Sequence, residues 1–213
     1  IGTIFDPNLP KQPLSGDCNT VASQSTSLPA CPTGTGLTIR NPCLINTEMV
    51  KIINEAGSAY GVPPDIIAGI LSIETRNGVF NVSRDEVKKH SQSATTGTTD
   101  YERYLCQPNY CGAMGTGQLL TGYGVTDACP NQSAREVNNW TTFACDGGSG
   151  RPNPGNIRDS VFAMAKMIKS LHDKFNLSIW NQADVENLAK LYYAGKTDYT
   201  CPPLDSLPAK FLN

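Results

Sequence analysis

The chain has 213 residues, 39% hydrophobic and 17% charged, with a formal net charge of −2. That length supports one domain with a packed core, and scattered Lys and Arg exclude the clustered basic footprint of a nucleic-acid surface. The longest apolar run, Ile66 to Leu71, falls far short of the roughly 20 residues that a membrane span needs.

Eight cysteines are present: Cys18, Cys31, Cys43, Cys106, Cys111, Cys129, Cys145 and Cys201. Their even number and the lack of a Cys-x-x-Cys pair argue for disulfides formed outside the cytoplasm, and against a zinc ribbon or redox motif. The pairs Cys106–Cys111 and Cys129–Cys145 are expected, because each closes a short loop.

Residues 1–44 are rich in Pro, Gly, Ser and Thr and show no helical period. They read as an irregular arm that Cys18, Cys31 and Cys43 tether to a body spanning 45–213. Asn46 or Thr47 then caps a helix to about Tyr60, with Met49, Ile52, Ile53 and Ala56 on one face. Pro63-Pro64 opens a second helix to about Arg76, stopped by Asn77-Gly78. Ser83-Arg84-Asp85-Glu86 has the capping-box form and starts a short third helix. Its Arg84, Lys88 and Lys89 read as a solvated face. A polar loop over 91–99 and a helical turn over Asp100–Leu105 follow.

The stretch Gly112–Gly124 is glycine-rich, and 125–155 reads as a loop-rich excursion. Asn156 caps a long helix to about Phe175. Its Ile157, Val161, Met164, Ala165, Ile168, Leu171 and Phe175 recur at helical spacing and form an apolar stripe. Met164 and Met167 read as core filler, and His172 as a flank residue. A last helix runs from about Ala183 to Tyr193.

Glu74 breaks this pattern. Ile67, Ile70 and Leu71 precede it by seven, four and three residues, so a carboxyl ends a stripe that points into the core. Buried Glu is rare unless paired, and neither residue three or four positions before it is basic. Either the helix frays and frees the side chain, or a distant arginine pairs with it, or the apolar wall raises its pKa and makes it a proton donor.

Three segments, in order, carry a family resemblance. Glu74-Thr75-Arg76-Asn77-Gly78 resembles the Glu-Thr-Arg-x-Gly motif around the catalytic glutamate of the membrane-bound lytic transglycosylase B family. Gly112-Ala113-Met114-Gly115-Thr116-Gly117-Gln118-Leu119 resembles the Gly-Ala-Met-Gly-x-x-Gln signature of the wider lytic transglycosylase and goose-type lysozyme superfamily. Leu191-Tyr192-Tyr193-Ala194-Gly195 resembles its Ala-Tyr-Asn-Ala-Gly motif, and the helix from Asn156 stands where the family has Asn-x-x-[Asp]-[Ser/Ala]. The resemblance covers about residues 45–196. Thr121 stands where proline is common, Tyr193 replaces the asparagine, and 44 positions separate Glu74 from Gln118, so 79–111 reads as an insertion.

The resemblance implies a mainly α, lysozyme-like α+β domain in the cell envelope or secreted. It would act as a monomer on peptidoglycan glycan strands, with no metal or other cofactor, no nucleic acid and no membrane-spanning segment. It makes Glu74 the single catalytic acid/base. It gives substrate contacts to Met114, Gly115, Thr116, Gly117 and Gln118, and to Tyr192, whose hydroxyl in the family meets the catalytic glutamate. The rival chemistry is goose-type hydrolysis. If inverting, that would need a second carboxylate about 6.5–9.5 Å away, for which Asp100, Glu102 and Asp127 are candidates. A non-catalytic glycan-binding module is the alternative of a different class.

Overall fold

The computed structural model describes residues 30–31, 47–75, 83–92, 106, 108–109, 111–123, 137–146, 152–177 and 180–194. Among these the chain is mainly helical, with one two-stranded sheet. The helices are α1 (Thr47–Tyr60), α2 (Pro64–Glu74), α3 (Arg84–Gln92), α4 (Asn139–Phe143), α5 (Ile157–Lys174) and α6 (Gln182–Ala194). The strands are β1 (Ala113–Met114) and β2 (Leu119–Leu120). No helix among the described residues is long and apolar enough to cross a membrane.

Helix α5 is the hub, packing against α1, α2, α3, α4 and α6. Asn156 caps it as expected, its side chain accepting from the Asp159 N–H at 3.1 Å. The expected stripe is buried from Ile157 to Ile168, but Ser160, Phe162 and Ala163 are buried too. The first turns are therefore enclosed on nearly every side, as suits a helix with five neighbours. Phe175 departs from the stripe. It is the C-cap of α5 and 40% exposed, with the Lys174 ammonium over its ring.

Met49, Ile52, Ile53 and Ala56 of α1 are buried together, as their spacing requires. Gly61, at φ +68°, ends the helix. In α3 only half of the capping box forms: Ser83 Oγ accepts from Glu86 N–H at 3.2 Å. The Glu86 carboxylate turns instead to His90 Nε2 (3.2 Å) and Lys89 Nζ (3.4 Å). Arg84, Lys88 and Lys89 are exposed; Arg84 and Lys88 reach Glu48. Helix α3 runs to Gln92, two residues into the expected loop. Ser91 Oγ donates to the Val87 carbonyl, and the Ser91 carbonyl accepts from Asn156 Nδ2 at 3.1 Å. The end of α3 is thus tied to the start of α5.

Helix α4 lies inside the stretch expected to be irregular. Asn138 caps it through Thr141 N–H (2.9 Å), and Trp140 anchors it in the core. The strands form an antiparallel hairpin with Ala113 opposite Leu120 and Met114 opposite Leu119. The expected turn at Asp100–Leu105, the helix stop at Asn77-Gly78 and most of the arm lie outside the described residues.

Cys145 pairs with Cys31, and this corrects the expected Cys129–Cys145 bond. Next to it, Cys31 N–H donates to the Asp146 carbonyl at 2.7 Å and Ala30 makes a parallel bridge to Asp146. Backbone pairing therefore brings the arm alongside the body where the disulfide closes. Cys106 and Cys111 are also disulfide-bonded. The Tyr60 hydroxyl lies 3.3 Å from Cys145 Sγ, and burial pushes it up to about 12.

Candidate active site

Helix α2 presents Glu74 in its last turn. Ile67, Ile70 and Leu71 of the same face are buried in the core that also holds Met114, Leu119 and Tyr192. Glu74 keeps partial contact with solvent. Burial nevertheless pushes its carboxyl up to about 7 from the usual 4.5, so near neutral pH the group is divided between acid and carboxylate. The following Thr75 closes the helix end, its hydroxyl donating to the Leu71 carbonyl at 2.7 Å.

The second component is the hairpin turn Gly115-Thr116-Gly117-Gln118 between β1 and β2. Gly115 takes φ +71° and faces the start of α5. A Cβ built there would stand 2.0 Å from the Pro154 carbonyl oxygen and 2.7 Å from Ser160 Oγ. A Cβ at Gly117 would stand 2.7 Å from Leu119 and 3.1 Å from Met164. Gly115 is therefore required by contact with the protein itself, whatever it does toward a ligand, whereas Gly117 is closely packed against a flexible Leu119 methyl and Met164. Gln118 also has a positive φ, +48°, which is uncommon for a residue with a side chain.

The turn is fastened on several sides. Gly117 N–H donates to Ser160 Oγ at 3.0 Å, and the Tyr192 hydroxyl donates to the Gly117 carbonyl at 2.5 Å. Gln118 Nε2 donates to the Gly115 carbonyl at 2.8 Å, and Gln118 Oε1 accepts from Asn109 Nδ2 at 3.4 Å. Asn109 Oδ1 accepts from the N–H groups of Cys111 and Ala113, which shapes the approach to β1. Thr121 uses both its N–H (2.9 Å) and its hydroxyl (2.7 Å) on the Gly112 carbonyl. A proline there would supply neither donor, which gives the departure at this position a structural role.

Comparison of the chain with protein-family models, curated proteins and solved structures finds no match. The chemistry must therefore be read from the site itself.

Tyr192 and the turn residues Gly115 to Gln118 are brought together, and Glu74 ends a helix whose apolar face enters the same core. Within the turn the roles divide by exposure. Met114, Gly115, Thr116 and Gly117 are buried and build the turn from beneath, whereas Gln118 retains access to solvent. Thr116 Oγ1 is buried with no hydrogen-bond partner among the described residues. Tyr192, 9% exposed, spends its single proton on Gly117, so its remaining capacity is as an acceptor. The side chain of Tyr193 and the residues Asp100, Glu102 and Asp127 lie outside the described residues.

Two residues of the turn's support were not singled out from sequence. Ser160 sits inside the apolar stripe of α5, and its partner is 43 residues away. Asn109 stands two and four residues before its amide partners, a local signal of a side chain shaping its own backbone. The buried Asp159 is not a free base: its Oδ2 accepts from Asn153 N–H at 3.0 Å.

Proposed function

We propose that the chain is a peptidoglycan lytic transglycosylase, secreted or held in the cell envelope, that works with Glu74 as its one acid/base. The observation that carries the proposal is the Glu74 carboxyl, pushed up to about 7 by burial at the end of an apolar helix face. The hydrogen-bonded turn ending in Gln118 supports the reading, because it offers a carboxamide with solvent access on a braced backbone. So do the disulfides, which suit an oxidising compartment.

In this mechanism protonated Glu74 donates to the oxygen of the β-1,4 bond between N-acetylmuramic acid and N-acetylglucosamine. Positive charge develops at C1 of the muramic residue, and its own acetamido oxygen stabilises that centre without a second protein carboxylate. Ionised Glu74 then takes the proton of the muramic C6 hydroxyl. The C6 oxygen bonds to C1 and closes a 1,6-anhydro ring. The proton given in the first step is recovered in the second, so the enzyme ends as it began. A pKa near the working pH lets one group serve both steps.

The test is mass spectrometry of muropeptides released from purified sacculi by the wild type and by Glu74→Gln. The expected result is anhydro-ended products from the wild type and none from the variant. Reducing ends, heavier by one water, would replace this mechanism with goose-type hydrolysis. Binding to sacculi without any release would leave a glycan-binding module.

A further inference from the structure

We infer that Ser160 is a positioning residue for Gln118, acting as one jaw of a clamp on the Gly117 backbone whose other jaw is Tyr192. The inference rests on the proposed function only for its kinetic consequence.

The two hydrogen bonds of Gly117 come from different helices. Ser160 Oγ, on α5, accepts from the N–H at 3.0 Å, and the Tyr192 hydroxyl, on α6, donates to the carbonyl at 2.5 Å. Both groups of this residue are therefore committed in a buried setting, where an unpartnered amide group is costly. The next residue is Gln118, held at φ +48°. A side-chain-bearing residue keeps such a backbone only where its surroundings over-determine it. The clamp on one side and the Gln118 Nε2 bond to the Gly115 carbonyl on the other supply that constraint.

Ser160 also sets how closely the turn approaches α5. Its Oγ lies 2.7 Å from where a Gly115 Cβ would be, so the hydroxyl occupies the space that the glycine vacates. The same side chain receives the Gly117 N–H and lies against Gly115, the residue whose carbonyl holds the Gln118 carboxamide. Removing the hydroxyl frees the Gly117 amide and loosens the ground beneath Gly115. Gln118 then loses its fixed orientation, although Ser160 never meets a ligand.

The experiment uses the ¹⁵N-labelled full chain and Ser160→Ala. Expected results are Gly117 amide exchange at least about tenfold faster and shifted Gln118 side-chain amide resonances. Exchange at Ile52 and Ile53 in the core of α1 should be unchanged. With soluble glycan strands as substrate, KM should rise about tenfold with kcat within about twofold, the pattern of lost binding without lost chemistry. Ser160→Cys, whose sulfur still accepts weakly, should restore part of the Gly117 protection. Unchanged Gly117 exchange with unchanged Gln118 resonances overturns the clamp. A fall in activity that tracks only the folded fraction, with KM constant, reduces Ser160 to a packing residue and overturns its positioning role. If Ser160→Ala does not fold, Tyr192→Phe is read in its place, and unmoved Gln118 resonances overturn the clamp there. A wild type that cleaves no glycan removes the proposed function, and the exchange and resonance data still decide the clamp.

Discussion

The Tyr192 hydroxyl donates to the Gly117 carbonyl across 75 residues of sequence, fastening the last described helix to the turn between β1 and β2. The family resemblance points this hydroxyl at the catalytic glutamate. Here its proton is directed at the backbone of the turn. A carboxyl meeting the same oxygen would have to donate to it, which only the protonated form can do. Tyr192→Phe should keep the ring packed and strand the Gly117 carbonyl. The expected loss is about 1–3 kcal/mol, measured by urea denaturation with an unchanged m-value.

Glu74 sets a pH dependence whose sign is fixed by the direction of its shift. The folded state retains the proton up to about pH 7, whereas the unfolded chain releases it near 4.5. Stability from this site is therefore complete below about pH 4.5, declines as pH rises toward 7, and stays low above that. Full expression of the shift would cost about 3 kcal/mol at alkaline pH, and the partial solvent contact of Glu74 reduces that figure. Glu74→Gln should remove the decline and be the more stable protein at pH 8. Denaturation of both proteins from pH 4 to 8 checks this, and parallel curves would mean that burial does not perturb the carboxyl.

Activity should follow the same group. The rate of glycan cleavage should fall above about pH 7 with a single ionisation, because the leaving oxygen needs the protonated acid. A rate profile flat from pH 6 to 9 would assign proton donation elsewhere.

Two glycines should respond oppositely to alanine. Gly115 combines φ +71° with a Cβ position 2.0 Å from the Pro154 carbonyl, so Gly115→Ala should lose at least about 3 kcal/mol or fail to fold. Gly69 sits in α2 with nothing within 4 Å of its Cβ position. Gly69→Ala should stabilise by about 0.5–1 kcal/mol through helix propensity and reduced freedom of the unfolded chain. Thermal melts of the two variants decide both.

The apolar periodicity of α1, α2 and α5 made their buried faces legible, and with them the anomaly at Glu74. Asn156 was legible as a cap because capping is local. The hairpin was not, since strands of two residues carry no alternation to read. Helix α4 has five residues and one buried anchor, Trp140, too little for a period. The Cys31–Cys145 pair was beyond reach because eight cysteines allow 105 pairings and this one spans 114 positions. The roles of Ser160 and Asn109 are not legible in the sequence, for different reasons. The partner of Ser160 is remote in sequence, while Asn109 shapes backbone that reads simply as a glycine-rich loop. The glycines of the turn are legible as a close backbone approach, but what they approach is not: they accommodate Pro154, Ser160, Leu119 and Met164, contacts that only the folded chain reveals.

The Cys31–Cys145 bond should contribute up to about 5 kcal/mol in the chain-entropy picture, given the length of loop it closes. Cys31→Ser should lower the melting temperature accordingly, with the loss measured by calorimetry against the oxidised wild type.

The same bond makes the interval from Cys31 to Cys145 a covalent ring that contains both Glu74 and Gln118. A protease that cuts once anywhere inside this ring opens it without parting the molecule. The nicked protein would run as one species on a non-reducing gel and as two after reduction. Damage of that kind leaves the acid and the carboxamide leashed to each other, so a single cut does not let them diffuse apart.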